Sequence, residues 1–370
     1  MPAGFSPAPR ADWRCLRGSG EIGRMTASAS TSLLRLGVLG CGRVFERFHL
    51  PAIDRTPGVT LAAACDAEPS RLAWAAGRTP LPALTGSPAD LLSHSPLDAV
   101  LILTPPPSHA DLTVRALEAG MAVLVEKPMA LTVEEGRRMA EAGRRAGRRV
   151  QVGFARRFRE PYRRLRSELG AIDRREWRAV HFELVFPTAG WNAHTAFLGD
   201  DARGGGVLDD VLSHQVDLLR SMLGAGPDAV RAVAGGSSGG IRVDLRFGEL
   251  TAVCHAAHGP YTERLTVELA DGRRLEATGS RMNSVCTGSP AWRRGRALVL
   301  DRVALLEDRI RRRPNISRVS FERQLQDFAQ AVRGGVAIGA TADDGLVVLR
   351  VLEACRESAR VGGAWREVFA

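Results

Sequence analysis

The sequence has little lysine, little tyrosine and no long apolar stretch. Of its 51 basic side chains a single one is a lysine, Lys127, and only two residues are tyrosines. No run of about eighteen apolar residues occurs, which excludes a conventional membrane-spanning helix. The six cysteines lack C-x-x-C spacing, which is typical of free thiols in a reducing cytoplasm rather than of a disulfide framework or a zinc site.

The length and composition are those of a globular protein with two domains. The chain has 370 residues, of which 45% are hydrophobic and 25% are charged. Residues 1–32 are rich in Pro, Gly, Ser and Ala and lack the apolar stretch of a secretory signal. We expect them to form a disordered leader, and Met25 offers an alternative start.

The net charge of +10 comes from arginines that occur in doublets and triplets. Such a surface can bind nucleic acid through phosphate contacts, but these clusters lack interleaved aromatic residues and match no nucleic-acid-reading motif. We therefore predict solvated arginines and no specific nucleic-acid partner, while an anionic substrate stays compatible with the charge. The clusters include Arg144-Arg145, Arg148-Arg149, Arg156-Arg157, Arg163-Arg164, Arg293-Arg294 and Arg311 to Arg313.

The first half alternates short apolar runs with helical patterns. Continuous apolar strands between helices indicate a parallel sheet that is covered on both faces, as in a doubly wound Rossmann domain. One intervening helix should end at Gly120, and another should open with a capping box from Thr132 to Glu135. The predicted strands are residues 35–40, 61–66, 99–104, 122–127 and 150–154.

A glycine-rich turn, GCGRVF at residues 40–45, follows the first predicted strand. Glycines in such a turn let the backbone approach a pyrophosphate at the start of a helix. Asp66 ends the second strand. An acid at this position accepts a hydrogen bond from the ribose 2′-hydroxyl of NAD and repels the 2′-phosphate of NADP, so we expect NAD over NADP. Phe45 occupies the third glycine position of the dinucleotide-binding fingerprint. The alternative is a strand-to-helix turn that binds no ligand.

Further polar residues follow the carboxyl ends of the predicted strands. Ligands of open α/β sheets bind at that edge, so Lys127 within Glu126-Lys127-Pro128 should lie beside the cofactor crevice. Unlike arginine, lysine is a compact donor whose charge can approach one oxygen. The residues that we expect to contact the cofactor are Gly40, Gly42, Arg43, Val44, Asp66, Thr104, Pro105, His109 and Glu126.

A second motif lies in GVLDDVLSHQVDLLRSMLG, residues 206–224. At 100° per residue, one polar stripe carries Asp210, His214, Asp217 and Ser221, opposite a broad apolar face. Asp210 and His214 are then neighbours at i, i+4, and a carboxylate can fix the tautomer of an imidazole that accepts protons. An exposed stripe with an incidental histidine is the alternative.

Two histidines in CHAAH, His255 and His258, invite a metal-binding interpretation. Three residues apart on a strand, however, they point to opposite faces. Without a Cys or carboxylate cluster beside them we predict structural roles and no metal site.

The segment FPTAGWNAH, residues 186–194, could contact a polyhydroxylated ligand. An aromatic face with polar tips suits a sugar ring, which makes Trp191, Asn192 and His194 candidates for substrate binding. A tryptophan that only packs in a loop is the alternative.

Beyond residue 150, the apolar residues form the alternating or continuous short runs that are typical of β-strands. Hairpin turns at GGSSGG and Asp271-Gly272 indicate an antiparallel sheet, and two helices follow it. The sequence thus predicts an α/β chain with a Rossmann domain at 33–155, an α+β domain with a mainly antiparallel open sheet at 156–319, and C-terminal helices at 320–370 that pack on both. The predicted strands are residues 181–186, 240–248, 250–258, 264–279 and 296–301.

Together, GVLGCGRV, the TPPPSH loop, the E-K-P tripeptide and GGGVLDDVLSHQVD resemble the Gfo/Idh/MocA family of NAD(P)-dependent oxidoreductases. The resemblance implies a two-domain enzyme acting on sugars, cyclitols or sugar nucleotides, with Lys127, Asp210 and His214 in its active site. It also implies a homo-oligomer, either a dimer or a tetramer. Leu212 departs from the glycine that the family usually has between the Asp and the His.

The predicted reaction is hydride transfer between nicotinamide and a secondary alcohol or ketone. His214 would take the hydroxyl proton, Lys127 would stabilise the alkoxide, and Asp210 would orient the imidazole. Lys127, Trp191, Asn192 and His214 would contact the substrate. Two alternatives stay open: a reductase of the same family acting on an imine, keto acid or diol, and a non-catalytic dinucleotide-binding protein.

Overall fold

A parallel sheet is formed by the first half of the chain in the computed structural model. The model describes residues 33–78, 83–93, 96–187, 206–235, 240–279, 282–286 and 316–369. The strands are β1 (Leu34–Leu39), β2 (Val59–Cys65), β3 (Ala83–Thr85), β4 (Ala99–Ile102), β5 (Ala122–Val125) and β6 (Val150–Val152). Their order is β3-β2-β1-β4-β5-β6 with parallel pairing throughout, which confirms the Rossmann sheet. The short strand β3 was not predicted, because three residues carry no usable period.

Helices connect these strands as expected. They are α1 (Leu50–Arg55), α2 (Pro69–Ala76), α3 (Pro88–Ser93), α4 (His109–Glu118), α5 (Val133–Ala146) and α6 (Glu160–Leu169). Thr132 and Glu135 form the predicted capping box at the start of α5, and Gly120 follows α4 with a φ of 81°. All residues of β4 and β5 are buried, as expected for strands covered on both faces.

A second sheet follows, in the order β13-β12-β11-β7-β10-β9-β8-β14. Its neighbouring strands are antiparallel except for the parallel pair β7 and β10. As predicted, antiparallel pairs flank GGSSGG (β8 with β9) and Asp271-Gly272 (β11 with β12). The predicted strand at 296–301 lies outside the described residues, and β8, β13 and β14 were missed. The strands are β7 (Trp177–Phe186), β8 (Ala229–Gly235), β9 (Gly240–Phe247), β10 (Leu250–His258), β11 (Thr262–Leu269), β12 (Arg273–Thr278), β13 (Met282–Cys286) and β14 (Arg366–Glu367).

One face of the second sheet is covered by helices. In β7 the buried residues Val180, Phe182 and Leu184 alternate with exposed ones, which is the pattern of a sheet covered on one side. The covering helices α7 (Ser213–Leu223) and α9 (Ala342–Arg360) bury their apolar residues in the same core. Each fully buried aliphatic side chain contributes roughly 1.5–3 kcal/mol of transfer free energy.

The last two helices return to the Rossmann half. From α8 (Ile316–Val332), Leu325, Phe328 and Ala329 join the apolar cluster beneath β1 and β4. At the start of α9, the Ala340 carbonyl accepts from the amide of Val152 at 2.8 Å, which extends the edge of the sheet. The domain limits at 155 and 319 stay predictions. Among the described residues, no helix is long and apolar enough to cross a bilayer.

Candidate active site

The glycine turn after β1 has the shape of a dinucleotide cradle. Gly40 has a φ of 100°, and a Cβ there would lie 2.8 Å from the backbone of Leu103. A side chain at position 40 would therefore collide with the neighbouring strand end. At Gly42 a Cβ would meet only Arg71, at 3.9 Å, so the backbone is open to a ligand on that side. These two positions fit a pyrophosphate beside the helix that begins at Arg43.

Asp66 braces this turn. Its Oδ2 accepts from the amide of Cys41 at 2.7 Å, and its Oδ1 accepts from the amide of Glu68 at 2.9 Å. A carboxylate has about four acceptor positions, so a ribose hydroxyl can still donate to it. Arg71 Nη1 lies 3.7 Å from Asp66 Oδ2 and places a positive charge at the same corner.

Phe45, at the third glycine position, is fully buried against Trp74 with ring centroids 6.3 Å apart. The helix that starts at Arg43 contains a π-helical stretch over Phe45–His49 before α1 continues it. A π-helical turn accommodates an extra residue. We infer that this wider turn makes room for the phenyl ring where glycine usually allows close packing.

The cysteines near the turn are not nucleophile candidates. Cys41 and Cys65 are free and buried. Burial, with a smaller effect of the Asp66 charge, raises the pKa of Cys41 to about 12 and that of Cys65 to about 11. Both thiols therefore stay protonated near neutral pH, where only a thiolate would react.

His109 joins the loops that follow β4 and β5. Its Nδ1 lies 2.8 Å from the Pro128 carbonyl and its Nε2 lies 2.7 Å from the Thr104 carbonyl. Burial lowers the pKa of His109, so the ring is neutral and donates to one carbonyl at a time. The His109 side chain is buried, whereas Thr104 is partly exposed and Pro105 is exposed. Cofactor contacts by these three residues stay predictions.

Glu126 has a partner that sequence reasoning missed. His49 Nε2 lies 2.9 Å from Glu126 Oε1, and the amide of Lys127 donates to Oε2 at 3.1 Å. His49 ends the π-helical stretch and is buried. No sequence motif at residue 49 predicts this contact, because the contact depends on the direction in which the π-helical stretch points the His49 side chain.

Lys127 and Asp210 meet between the two sheets. Lys127 Nζ donates to Asp210 Oδ1 at 2.6 Å and to the Asp210 carbonyl at 3.1 Å. The other carboxylate oxygen, Oδ2, lies 3.3 Å from His258 Nε2. Burial would raise the pKa of Asp210, but the charge of Lys127 and the hydrogen bond from His258 outweigh it and hold the pKa well below its usual range.

The predicted pairing of Asp210 with His214 is wrong. Residues Leu208–Leu212 form a π-helical stretch before α7, and the amide of Ser213 bonds the carbonyl of Leu208, five residues back. The 100° spacing that would stack residues four apart does not hold across such a turn. Leu212, the departure from the family pattern, is fully buried within this stretch.

His214 lies in a positively charged, buried environment. Its ring is close to Phe154 and Phe186, and its Nδ1 is buried without a hydrogen-bond partner. Burial is the largest cause that lowers the pKa of His214, and the charges of Arg156, Lys127 and Arg159 lower it further. The imidazole is therefore neutral near pH 7 and can accept a proton, whereas the same charges would stabilise an alkoxide.

We expect His214→Gln to reduce the loss in the free energy of unfolding that occurs as the pH falls. Because the folded-state pKa is lowered from 6.5, the unfolded chain binds the proton first as the pH falls. This residue then lowers the free energy of unfolding below about pH 6.5, by at most ~1.4 kcal/mol per pH unit. Urea unfolding from about pH 7.5 to about pH 5.5 should show a smaller loss of stability in the variant. Parallel curves for both proteins would contradict the neutral, buried histidine.

His258 was assigned a structural role from sequence and is found in the site instead. Alternation on β10 does separate it from His255, as predicted, but it places His258 on the same face as the buried residues Ala252, Cys254 and Ala256. The sequence signal that could have indicated a role for His258 was its position on the covered face of β10. His258 is the last residue on that face, and it lies next to Asp210.

The Arg156-Arg157 doublet is not the solvated pair that composition suggested. Both side chains are buried. Arg157 forms a bidentate ion pair with Asp217, with Nη2 to Oδ1 at 2.7 Å and Nε to Oδ2 at 2.9 Å, and it also contacts Asp344. The prediction failed because composition cannot identify arginines whose carboxylate partners are distant in sequence.

Glu263 forms an ion pair with Arg156, the other arginine of this doublet. Although burial would raise its pKa, the charges of Arg156 and Arg159 bring the pKa of Glu263 to about 2. Arg156 extends over the ring of Phe186, with 4.6 Å from its guanidinium carbon to the ring centroid. The carboxylate accepts from four donors, namely Arg156, Arg159, Tyr162 and Tyr261.

The remaining substrate candidates, Trp191, Asn192 and His194, lie outside the described residues. What the described part brings together is a dinucleotide cradle and a partly buried cluster of one ammonium, one carboxylate and two imidazoles near the carboxyl edge of the parallel sheet. That combination defines a nicotinamide-dinucleotide-dependent oxidoreductase.

Comparisons with known proteins agree with this class. Residues 34–154 match the model of the oxidoreductase family with an NAD-binding Rossmann fold, Gfo/Idh/MocA. Rhizopine catabolism protein MocA of Rhizobium meliloti is 29% identical over 329 residues, which is 87% of this chain and 94% of the relative. Inositol 2-dehydrogenase 2 of Saccharopolyspora erythraea is 29% identical over 335 residues, 89% of this chain and 94% of the relative. The Rossmann part of the chain, residues 34–154, thus matches the Gfo/Idh/MocA oxidoreductase family, and the similarity to these two relatives extends over most of the chain.

Solved structures share the fold. The WlbA dehydrogenase from Bordetella pertussis, in complex with NADH and UDP-GlcNAcA, has a TM-score of 0.76 at 21% identity, covering 91% of this chain and 98% of that one. Scyllo-inositol dehydrogenase from Lactobacillus casei, with NAD(H) and scyllo-inositol, has a TM-score of 0.74 at 19% identity, covering 92% and 100%. At these identities the likeness concerns the fold.

Proposed function

We propose that this protein is an NAD-dependent dehydrogenase that oxidises a secondary alcohol on a cyclitol or sugar ring. The observation that carries the proposal is the Lys127 ammonium, held 2.6 Å from Asp210 at the carboxyl edge of the Rossmann sheet. Relatives named inositol 2-dehydrogenase, scyllo-inositol 2-dehydrogenase and D-glucoside 3-dehydrogenase support the substrate class.

The residues of the first sheet fit NAD. Gly40 permits the tight turn after β1, Gly42 leaves the backbone open for the pyrophosphate, and Asp66 retains acceptor positions for the adenine-side ribose. Thr104 and Pro105 follow β4 and Glu126 follows β5, where they would contact the cofactor. When bound, NAD⁺ supplies the acceptor for the hydride.

The chain's own groups manage the proton and the charge on oxygen. In the proposed arrangement the substrate hydroxyl lies between Lys127 and His214. The neutral His214 ring accepts the hydroxyl proton while the C–H electron pair leaves as hydride. Lys127 donates to the oxygen as it becomes an alkoxide and then a carbonyl, and Asp210 holds the amine in place. In reverse, the same groups protonate a ketone.

Two alternatives make different predictions. A reductase acting on an imine, keto acid or diol would use the same Lys127 and His214 with another substrate. A non-catalytic dinucleotide-binding protein would not need the partly buried Lys127–Asp210 pair, and the presence of that pair favours the enzyme. Association into a homo-oligomer and a cytoplasmic location remain predictions that rest on the family and on the composition.

The proposal is tested by cofactor binding and then by turnover. Thermal unfolding with NAD⁺, NADH, NADP⁺ and NADPH should show stabilisation by the NAD pair, about 2.7 kcal/mol at a hundred times the dissociation constant. NADH formation should then appear with inositols or glucosides. Stabilisation by none of the four dinucleotides would favour the non-catalytic alternative, and turnover confined to imines, keto acids or diols would favour the other reductase.

A further inference from the structure

His258 completes the hydrogen bonding of the Asp210 carboxylate. Within the described residues, the donors to its two oxygens are Lys127 Nζ on Oδ1 and His258 Nε2 on Oδ2. A carboxylate only accepts, so Nε2 of this ring carries the proton. About a fifth of each side chain is exposed, 20% for both Asp210 and His258, so the pair lies at the open end of the site.

The backbone places His258 rigidly for this contact. It is the last residue of β10, paired with Phe186 at the end of β7, and the amide of Gly259 closes the pair by donating to the Phe186 carbonyl at 2.7 Å. Asp210, by contrast, belongs to a π-helical stretch and has no i, i+4 partner in His214. The end of β10 can therefore fix the orientation of the Asp210 carboxylate, which has no side-chain partner in His214 on its own helix.

We propose that His258 is a positioning residue for the reaction: by donating to Oδ2 it fixes the Asp210 carboxylate so that Oδ1 faces Lys127. The terminal torsion of an aspartate has broad, roughly two-fold minima, so a carboxylate held through one oxygen can turn. A turned carboxylate would release the ammonium from the place where it meets the substrate hydroxyl. This inference rests on the proposed function for its catalytic effect, though not for the contact itself.

The experiment compares two amides at position 258. The amide nitrogen of Gln lies near the position of Nε2 of histidine, whereas that of Asn lies near Nδ1. We expect His258→Asn to lower kcat by about 10–100-fold, the worth of a hydrogen bond to a charged group, with the KM for NAD⁺ unchanged. His258→Gln should recover most of that loss. His255→Asn and His255→Gln, on the opposite face of the same strand, are the matched controls and should behave like the unmodified protein.

A second measurement does not need turnover. Lys127 is the only lysine, so acetylation at this residue, followed by peptide mass spectrometry, reports on one side-chain amine. Two hydrogen bonds to Asp210 hold Nζ in one place and limit its approach to the reagent, so His258→Asn should accelerate labelling several-fold and His258→Gln should not. If no alcohol is oxidised by the unmodified protein, the proposed function fails while labelling still decides the role of His258.

Three results would overturn the inference. One is unchanged kcat and unchanged Lys127 labelling in His258→Asn. Another is equal damage from Asn and Gln accompanied by a lowered melting temperature, which would indicate a merely structural role. The third concerns coupling: if His258 acts through Asp210, its effect should disappear in an Asp210→Asn background, so additive losses in the double variant would contradict the mechanism.

Discussion

Lys127→Arg is expected to fold and to bind NAD but to lose about 10²–10³-fold in kcat, the usual effect of removing one stabilising donor from an oxyanion. The amine fits between Asp210 Oδ1 and the Asp210 carbonyl, 2.6 and 3.1 Å away. A guanidinium is planar and longer, so it would satisfy the carboxylate through a fork and place its charge away from the substrate oxygen.

Steady-state kinetics with the best alcohol found, together with thermal unfolding in the presence of NAD⁺, would measure this effect. The reverse exchange Arg138→Lys, in an exposed pair with Asp111, is a matched control that should leave kcat unchanged. Near-normal turnover by Lys127→Arg would contradict the role assigned to the amine. Loss of NAD stabilisation would instead mean that the variant damages the cofactor cradle.

The second large effect concerns stability. Asp217→Asn should lower the free energy of unfolding by about 3–5 kcal/mol, because it leaves a buried arginine without its bidentate partner. Arg157 and Asp217 are 5% and 1% exposed, and their contact joins the segment after β6 to α7, which carries His214. Such a loss is a large part of the ~5–15 kcal/mol that domains usually have.

Urea unfolding at about pH 7.5, above the raised pKa of Asp217 of about 6, is the appropriate measurement. Asp111→Asn removes a carboxylate from the exposed pair with Arg138 and should change the free energy of unfolding by less than about 1 kcal/mol. If the two variants lose similar amounts, the second contact of Arg157, with Asp344, is enough to keep the buried charge.

The features that the sequence could predict depend on local pattern. Apolar runs identified five strands of the parallel sheet, and the position of Lys127 after β5 followed from the rule that ligands bind at carboxyl strand ends. The capping box at Thr132 follows equally from local chemistry. These signals involve residues that are near one another in sequence, so no knowledge of packing was needed.

The errors came from contacts that local pattern cannot encode. The partner of Asp210 was misassigned because a π-helical stretch shifts the side chains of residues Leu208–Leu212, and no residue type in LDDVL predicts such a stretch. Arg157 was assigned to the surface because Asp217 lies 60 residues away. The contact of His258 with Asp210 could not be predicted, because it depends on how the π-helical stretch packs against β10.

The parallel pair β7 and β10 has a consequence for engineering. Because both strands run the same way, Phe186 and His258 end at one edge, where His258 contacts Asp210, while the glycine turn of the dinucleotide cradle follows a strand of the other sheet. In the proposed arrangement, the cofactor contacts would then lie on one sheet and the His258 end of the alcohol site on the other. A library confined to the last residues of these two strands could alter which alcohol is accepted while it leaves the redox partner unchanged.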